Sequence, residues 1–511
     1  MNLNRRHFLL GSAASVALVG SASTKIAPRK LAAGEKANVA MIGLGIQGRT
    51  ALLPQFLGQY DRGAKVVVCC DCDKDRREDG AKRVDDYYSK RKIQSACKAV
   101  ADFRDVLKDP TIDMVCIATP DHWHAYIAVE AMKAGKDVYC EKPLTFSIDE
   151  ARKVIAAQEK YGRVFQTGSM QRSWPVFRTA CMIVRNGLIG DIKYVDANYG
   201  RGGSKLGGPS HPIRFFDDPK NAATEGAPNP NVDWDMWLGP AKWRAYSDQL
   251  APRGVNKFYP MFWRFDDDFG TGYNGDWGAH HLDIAQWGMD MDKSGPYKII
   301  RSDEPYSTDL YHGGRRQFGM KMLFKSPTGD IELYHGPFGT WGTVFYGTKG
   351  VVAVNRGKIA VWEGALVKPT AEIRRALADM KPVAGLTLVA ASVGKDYGTD
   401  SSDKKDDRLT STLKTLCAKY DLEHAKVQLY KSPNQVQNFV ECYFSRKPTI
   451  SPAEVGGRGS ILCGLCNMSY VYDTGFGWDP VKMDFPEGCS CRKMGLSLKR
   501  EFSRNGWEVV V

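Results

Sequence analysis

The chain has 511 residues, enough for more than one domain, and its 43% hydrophobic and 25% charged residues are those of an ordinary globular protein, not of a disordered or fibrous one. Its formal charge is +13, from 71 basic and 58 acidic residues. Part of that excess sits in residues 1–36, and elsewhere no Lys/Arg-rich run is interleaved with aromatics, which argues against a nucleic-acid-binding protein.

The first stretch, "NRRHFLLGSAASVALVGSAS", has a paired arginine, an apolar run from Phe8 to Val19 and then small residues. The run is short for a bilayer span, and its layout is that of a secretory signal. Arg5-Arg6 before Phe8-Leu9-Leu10 resembles a twin-arginine signal. Residues 1–36 are therefore expected to be a signal and linker, and the mature protein to be exported to the periplasm without stable membrane insertion. An uncleaved amphipathic arm is the plainer alternative.

From Ala37 strands and helices alternate. "NVAMIGLG", "AKVVVCCD", "MVCIATP", "KDVYCEKP" and "RVFQTGS" read as short, nearly continuous apolar strands. Between them lie the helical stretches "GRTALLPQFLGQY", "AYIAVEAMKAG" and "SIDEARKVIAAQEKYG", the last opened by Ser147 with Glu150 three residues on, a capping box. Repeated βα units with apolar strands predict a doubly wound parallel sheet over residues 37–166. Residues 167–511 change texture: "DIKYVDANYG", "QFGMKMLFKS", "DIELYHG", "TVFYGTKGVVAVNRG" and "KIAVWEG" predict a large, mostly antiparallel sheet in a second α/β domain. A long aromatic, Pro/Gly-rich stretch (residues 211–243) has the length of a functional or disordered loop, though its tryptophans argue for packing. Residues 368–426 contain a polar tract that reads as an insertion.

Thirteen cysteines give mixed signals. Cys69, Cys70, Cys116 and Cys140 lie in apolar strands and read as small hydrophobes. Cys463-x-x-Cys466 and Cys489-x-Cys491 invite a metal reading, but no histidine lies near, and the first pair sits in a packed helix. No metal is expected, and a disulfide near the C-terminus suits an exported protein better.

Gly43-x-Gly45-x-x-Gly48 falls where the first strand ends and a helix begins. The first glycine allows the tight turn, the second a close backbone approach to a pyrophosphate, and the third helix–strand packing, with Ile46 and Gln47 in the same turn. Asp71 ends the second strand, placed to accept ribose hydroxyls and to repel a 2′-phosphate, so NAD is expected over NADP. Thr119-Pro120, with His124 just beyond, closes another strand at the crevice where the nicotinamide end would lie. In Glu141-Lys142-Pro143 the proline gives a mobile cation a defined starting direction. In "GYNGDWGAHHLDIAQWG", Asp276, His280 and Asp283 recur at i, i+4 and i+7, so that on one helix Asp276 would orient His280 for acid/base work. The bland alternative makes Asp276 a helix cap and His280 a structural residue.

Taken in order, the glycine motif, "ATPDHWH", Glu141-Lys142-Pro143 and the Asp276/His280/Asp283 stretch resemble the Gfo/Idh/MocA family, the relatives of glucose–fructose oxidoreductase and inositol dehydrogenase. The resemblance runs through nearly all of the chain from Ala37 and departs at residues 368–426 and the cysteine-bearing tail. It implies a Rossmann domain followed by an α/β domain with an open sheet, homo-oligomers, and catalysis by Lys142, Asp276 and His280, with Glu141 and Lys142 near the cofactor. The implied function is NAD-dependent oxidation of a hydroxyl of a sugar or polyol. His280 would take the hydroxyl proton while Lys142, its proton affinity lowered by burial and by the oxidised nicotinamide, holds the oxygen; the roles of the two could also be exchanged. Arg172, Tyr273, Trp277 and His281 are the candidates for holding the substrate. Export would separate the enzyme from free NAD, which favours a tightly held cofactor. Two alternatives are an NAD-dependent glycosidase working through transient oxidation and a non-catalytic, cofactor-loaded sugar-binding protein.

Overall fold

A computed structural model of the chain describes residues 25–199, 227–255, 262–305, 318–335, 342–365, 368–393, 407–500, 502–504 and 506–511. Arg5-Arg6, the apolar run after it and part of the aromatic stretch lie outside the described residues.

The first sheet is built from β1 (Ala37–Ile42), β2 (Ala64–Cys70), β3 (Lys98–Val100), β4 (Met114–Ile117), β5 (Asp137–Cys140) and β6 (Phe165–Thr167). They lie in the order β3-β2-β1-β4-β5-β6, every pair parallel. Strands β4 and β5 are buried throughout, which is why they read as unbroken apolar runs. The order reverses direction between β1 and β4, and in such sheets the crevice at the carboxyl ends of those two strands is the ligand-binding place. The chain leaves β1 through a π-helical turn, Gln47–Leu52, that runs on as the helix Leu53–Leu57. The helix Ile148–Tyr161 starts with the full Ser147/Glu150 capping box and ends at Gly162 with φ +62°.

The second sheet has nine strands: β7 (Ile192–Asn198), β8 (Lys298–Pro305), β9 (Phe318–Ser326), β10 (Gly329–His335), β11 (Gly342–Gly347), β12 (Gly350–Asn355), β13 (Lys358–Glu363), β14 (Thr387–Val393) and β15 (Phe476–Gly477). Every pairing is antiparallel except β7 with β10. β14, from within residues 368–426, adds an edge strand to this sheet. Its apolar face is covered by the helices Pro175–Arg185, Gly278–Gly288 and Ala453–Val471 in one large core. Cys463 and Cys466 are free thiols buried in the last of these, and Cys489 is bonded to Cys491. The C-terminal part of the chain also returns to the parallel sheet. The helix Gln435–Ser445 packs Val436, Phe439 and Val440 against the parallel sheet, and Trp507 and Val509 join the cluster on its other face.

Candidate active site

Three glycines shape the turn after β1, each in a different way. Gly43 has φ +89°, and a Cβ there would lie 2.6 Å from the Ala118 carbonyl carbon. A Cβ on Gly48 would fall 2.1 Å from the Gly43 oxygen. Gly45 instead faces open space, with nothing within 4 Å of the place a Cβ would take. Two glycines thus keep the turn tight, and the third leaves room for a phosphate to approach the backbone at the start of a helix. Asp71 supports this turn: its Oδ2 accepts from the Leu44 N–H at 2.7 Å and its Oδ1 from the Asp73 N–H at 2.9 Å. Each carboxylate oxygen has a second lone pair left for a ribose hydroxyl.

A cavity of about 380 Å³ runs from Gly45, Gln47 and Asp71 past Thr119 and Pro120 to Lys142, Asp276 and His280. Thr119 Oγ1 is buried without a hydrogen-bond partner among the described residues. A nicotinamide dinucleotide fits this set: an open phosphate approach, a ribose carboxylate and an unsatisfied hydroxyl farther in. His124 borders the cavity, but its polar atoms are taken, Nδ1 lying 2.7 Å from Pro143 O and Nε2 2.9 Å from Thr119 O. It therefore positions the Lys142-Pro143 segment against the end of β4. Glu141 is buried beside Gln47 Nε2 (3.3 Å) and Tyr139 OH (3.4 Å), and burial raises its carboxyl above the usual range.

Lys142 Nζ donates to Asp276 Oδ1 at 2.7 Å and to the Asp276 carbonyl at 2.9 Å. Arg264 pairs with the same carboxylate. Burial would raise the Asp276 carboxyl, but the Arg264 and Lys142 cations outweigh it and hold the group well below its ordinary range. Asp276 is thus a fixed anion, and it holds Lys142 in place.

The single helix face expected for Asp276, His280 and Asp283 does not form. The chain makes one short helix, Gly272–Asp276, turns at Trp277, and starts another, Gly278–Gly288. Asp276 at the end of the first faces Lys142 and Arg264, and His280 Nδ1 has no partner among the described residues. Burial, with Arg356 and Lys142 adding to it, pushes the His280 proton affinity well below the ordinary imidazole value, so the ring is neutral at pH 7. Asp283 accepts from Arg172 Nε and Nη2, both at 2.8 Å.

Two expected substrate contacts are also corrected. Arg172 is 1% exposed and is consumed by Asp283 and by Asp292, to which it donates at 2.9 and 2.7 Å, so it acts inside the core. His281 is fully buried, ring-stacked on Trp277 (6.0 Å, 8°) and Tyr199 (6.4 Å, 10°), and stands behind the cavity wall. Tyr273 and Trp277 do line the cavity. Sequence reasoning missed Arg264 and Arg356. Arg356, from the turn between β12 and β13, lines the cavity with its guanidinium 4.4 Å from the Trp277 ring centre. Neither arginine sits in a local pattern that would single it out.

Residues 37–169 match the NAD-binding Rossmann-fold domain of the Gfo/Idh/MocA oxidoreductase family, and residues 214–318 match its C-terminal alpha/beta domain. The chain is similar to a glycosyl hydrolase family 109 protein of Shewanella pealeana, 27% identical over 219 residues, covering 39% of this chain and 46% of that one. It is similar also to an inositol 2-dehydrogenase of Rubrobacter xylanophilus, 31% identical over 158 residues, 31% of this chain and 42% of that protein. The match thus spans less than half the length of these curated relatives. The structure of levoglucosan dehydrogenase in complex with NADH and levoglucosan shares the fold, with a TM-score of 0.51 at 16% identity over 87% of this chain and 99% of that one. Matches to the family's Rossmann domain and, after it, to its C-terminal domain support the chain's membership of the Gfo/Idh/MocA oxidoreductases.

Proposed function

We propose that the protein is an NAD-dependent oxidoreductase acting on a hydroxyl of a sugar or polyol. The observation that carries this reading is the placement of Lys142, fixed on Asp276, in the same cavity as the glycine turn and Asp71. An ammonium has three N–H donors, and Asp276 takes two of them. The third is left for a substrate oxygen, which it would orient as an alcohol and polarise as a carbonyl. His280, neutral and at the same end of the cavity, accepts the hydroxyl proton. Bound nicotinamide supplies the hydride acceptor. The Asp71 carboxylate favours NAD over the 2′-phosphorylated form, and the similarity to an inositol 2-dehydrogenase supports a polyhydroxylated substrate.

The test is a panel of sugars and polyols added to the NAD-loaded protein while reduced nicotinamide is followed by its absorbance. At least one polyhydroxy compound is expected to reduce the cofactor in the wild type and to fail in Lys142→Ala. Reduction that survives Lys142→Ala unchanged would refute the assignment. The similarity to a glycosyl hydrolase family 109 protein favours a second reading, glycoside cleavage through transient oxidation. That reading predicts aglycone release from a chromogenic glycoside with no net cofactor reduction.

A further inference from the structure

Part of the cavity is lined by a segment that belongs to neither sheet. Residues 229–255 form a small core of their own, in which Val232, Trp237, Leu238, Tyr246 and Leu250 pack with Phe269. From there the segment reaches both banks of the nucleotide crevice. On the bank after β2, Val232 forms an antiparallel bridge with Asp73: the Lys74 N–H donates to Asn231 O at 2.7 Å and the Asp233 N–H to Cys72 O at 3.1 Å. Asn231 Nδ2 also donates to both oxygens of Asp75, at 3.0 and 3.1 Å. Arg76 donates to Pro252 O at 3.1 Å, and Arg49, from the helix after the glycine turn, to Val255 O.

On the opposite bank, the helix Asp121–Lys133 presents His122 Nε2 3.1 Å from Trp237 O, and Trp123 Nε1 donates to Met236 O at 3.1 Å. Gly239, at φ +53°, lets the segment lie flat on Trp123, since a Cβ there would come within 2.3 Å of the indole. Met236, Trp237, Leu250, Pro252 and Val255 then line the cavity itself.

We propose that residues 229–255 are a strap that retains the nucleotide, so that the cofactor is a resident group and not an exchanging substrate. The inference rests on the dinucleotide reading of the cavity. The loop that carries Asp71 is pinned from outside by the strap, so a nucleotide held by that carboxylate leaves only when the strap detaches from one bank.

The experiment measures nucleotide released on denaturing the purified protein, before and after prolonged dialysis, with release rates from the native state for the wild type, Asn231→Ala and Gly239→Ala. The two variants loosen opposite banks, so a shared effect is not the accident of one misfolded loop. The strap predicts near-stoichiometric nucleotide after dialysis. Losing the paired bonds to the Asp75 carboxylate should speed release roughly tenfold or more, with Gly239→Ala acting in the same direction. Protein isolated empty that binds and frees added NAD rapidly would overturn the strap while leaving the dinucleotide reading intact. Protein that neither contains nor binds nucleotide would overturn both. Unchanged release rates in both variants would also refute the strap.

Discussion

Lys142 is the residue on which most of the chemistry turns, and its surroundings explain why a flexible side chain can serve. Two of its donors are anchored on one residue, Asp276, whose charge is secured by Arg264. Lys142→Ala removes the donor to the reacting oxygen and is expected to lower kcat/KM by about 10²–10⁴-fold in steady-state assays. The bound nucleotide, measured after denaturation, should stay near the wild-type amount. Arg172 gives the opposite profile. Arg172→Ala leaves Asp283 buried without its cation and should cost about 3–5 kcal/mol in denaturant unfolding. The folded fraction should keep its KM, whereas a substrate contact would raise it. His281 offers a pH test. Burial, with Arg356 adding to it, depresses its ring to about 3, below the ordinary value of 6.5. The unfolded chain therefore binds a proton that the folded chain refuses, and this contribution to stability is lost as pH falls below about 6.5. Any stability advantage of the wild type over His281→Gln at pH 7 should accordingly shrink as thermal unfolding is measured at pH 6, 5 and 4. Lys142 and Asp276 were legible in the sequence because each lies in a short local signal. Arg172 was misread because its second partner, Asp292, lies 120 residues away, and nothing local announces that pairing.

Among the elements, the turn after β1 is the most fully determined by its own residues, since its glycines answer to three different steric demands. Gly48→Ala would drive a methyl group into the Gly43 carbonyl and should cost about 1–3 kcal/mol of stability while weakening nucleotide binding. Calorimetric titration with NAD and a thermal melt would register both effects. The parallel strands were legible because burial on both faces leaves an unbroken apolar run, as in "MVCI". β3 was not, because "KAV" is a three-residue edge strand with mostly exposed side chains. The expected helix through Asp276 and Asp283 broke at Trp277 because helical spacing says nothing about which partners compete for the side chains. Here Lys142 lies at one carboxylate and Arg172 at the other. The strap was half legible: its tryptophans marked it as packed, but not which surface it packs on.

At the scale of the whole molecule, the helix Gln435–Ser445 and the residues around Trp507 and Val509 return to the parallel sheet and brace it. Trp507 packs edge-on against Trp123 (5.0 Å) and Tyr126 (5.1 Å) and lies 6.1 Å from Phe103. Because Trp123 also carries the strap and lines the cavity, Trp507→Ala should do two things at once. Half-buried, it is expected to cost about 2–3 kcal/mol, less than the roughly 3–5 kcal/mol of a buried aromatic deletion, and to speed nucleotide loss. A stability change with an unaltered release rate would separate the tail from the strap. That a parallel sheet is followed by a mostly antiparallel one was legible from the change between unbroken and alternating apolar runs, though β3, β8, β14 and β15 were not singled out. This return of the tail was not, because contacts across some four hundred residues, from Trp507 back to Phe103, leave no periodic mark in the sequence.

The most direct test of the central claim is a crystal structure of the protein with NAD and a polyol that reduces it. The nicotinamide is expected beside Thr119 and Pro120, and the reacting hydroxyl about 3 Å from Lys142 Nζ with His280 within reach of the same oxygen. A nucleotide bound elsewhere, or a substrate whose oxidised hydroxyl lies away from Lys142 while the lysine still faces only Asp276, would contradict it.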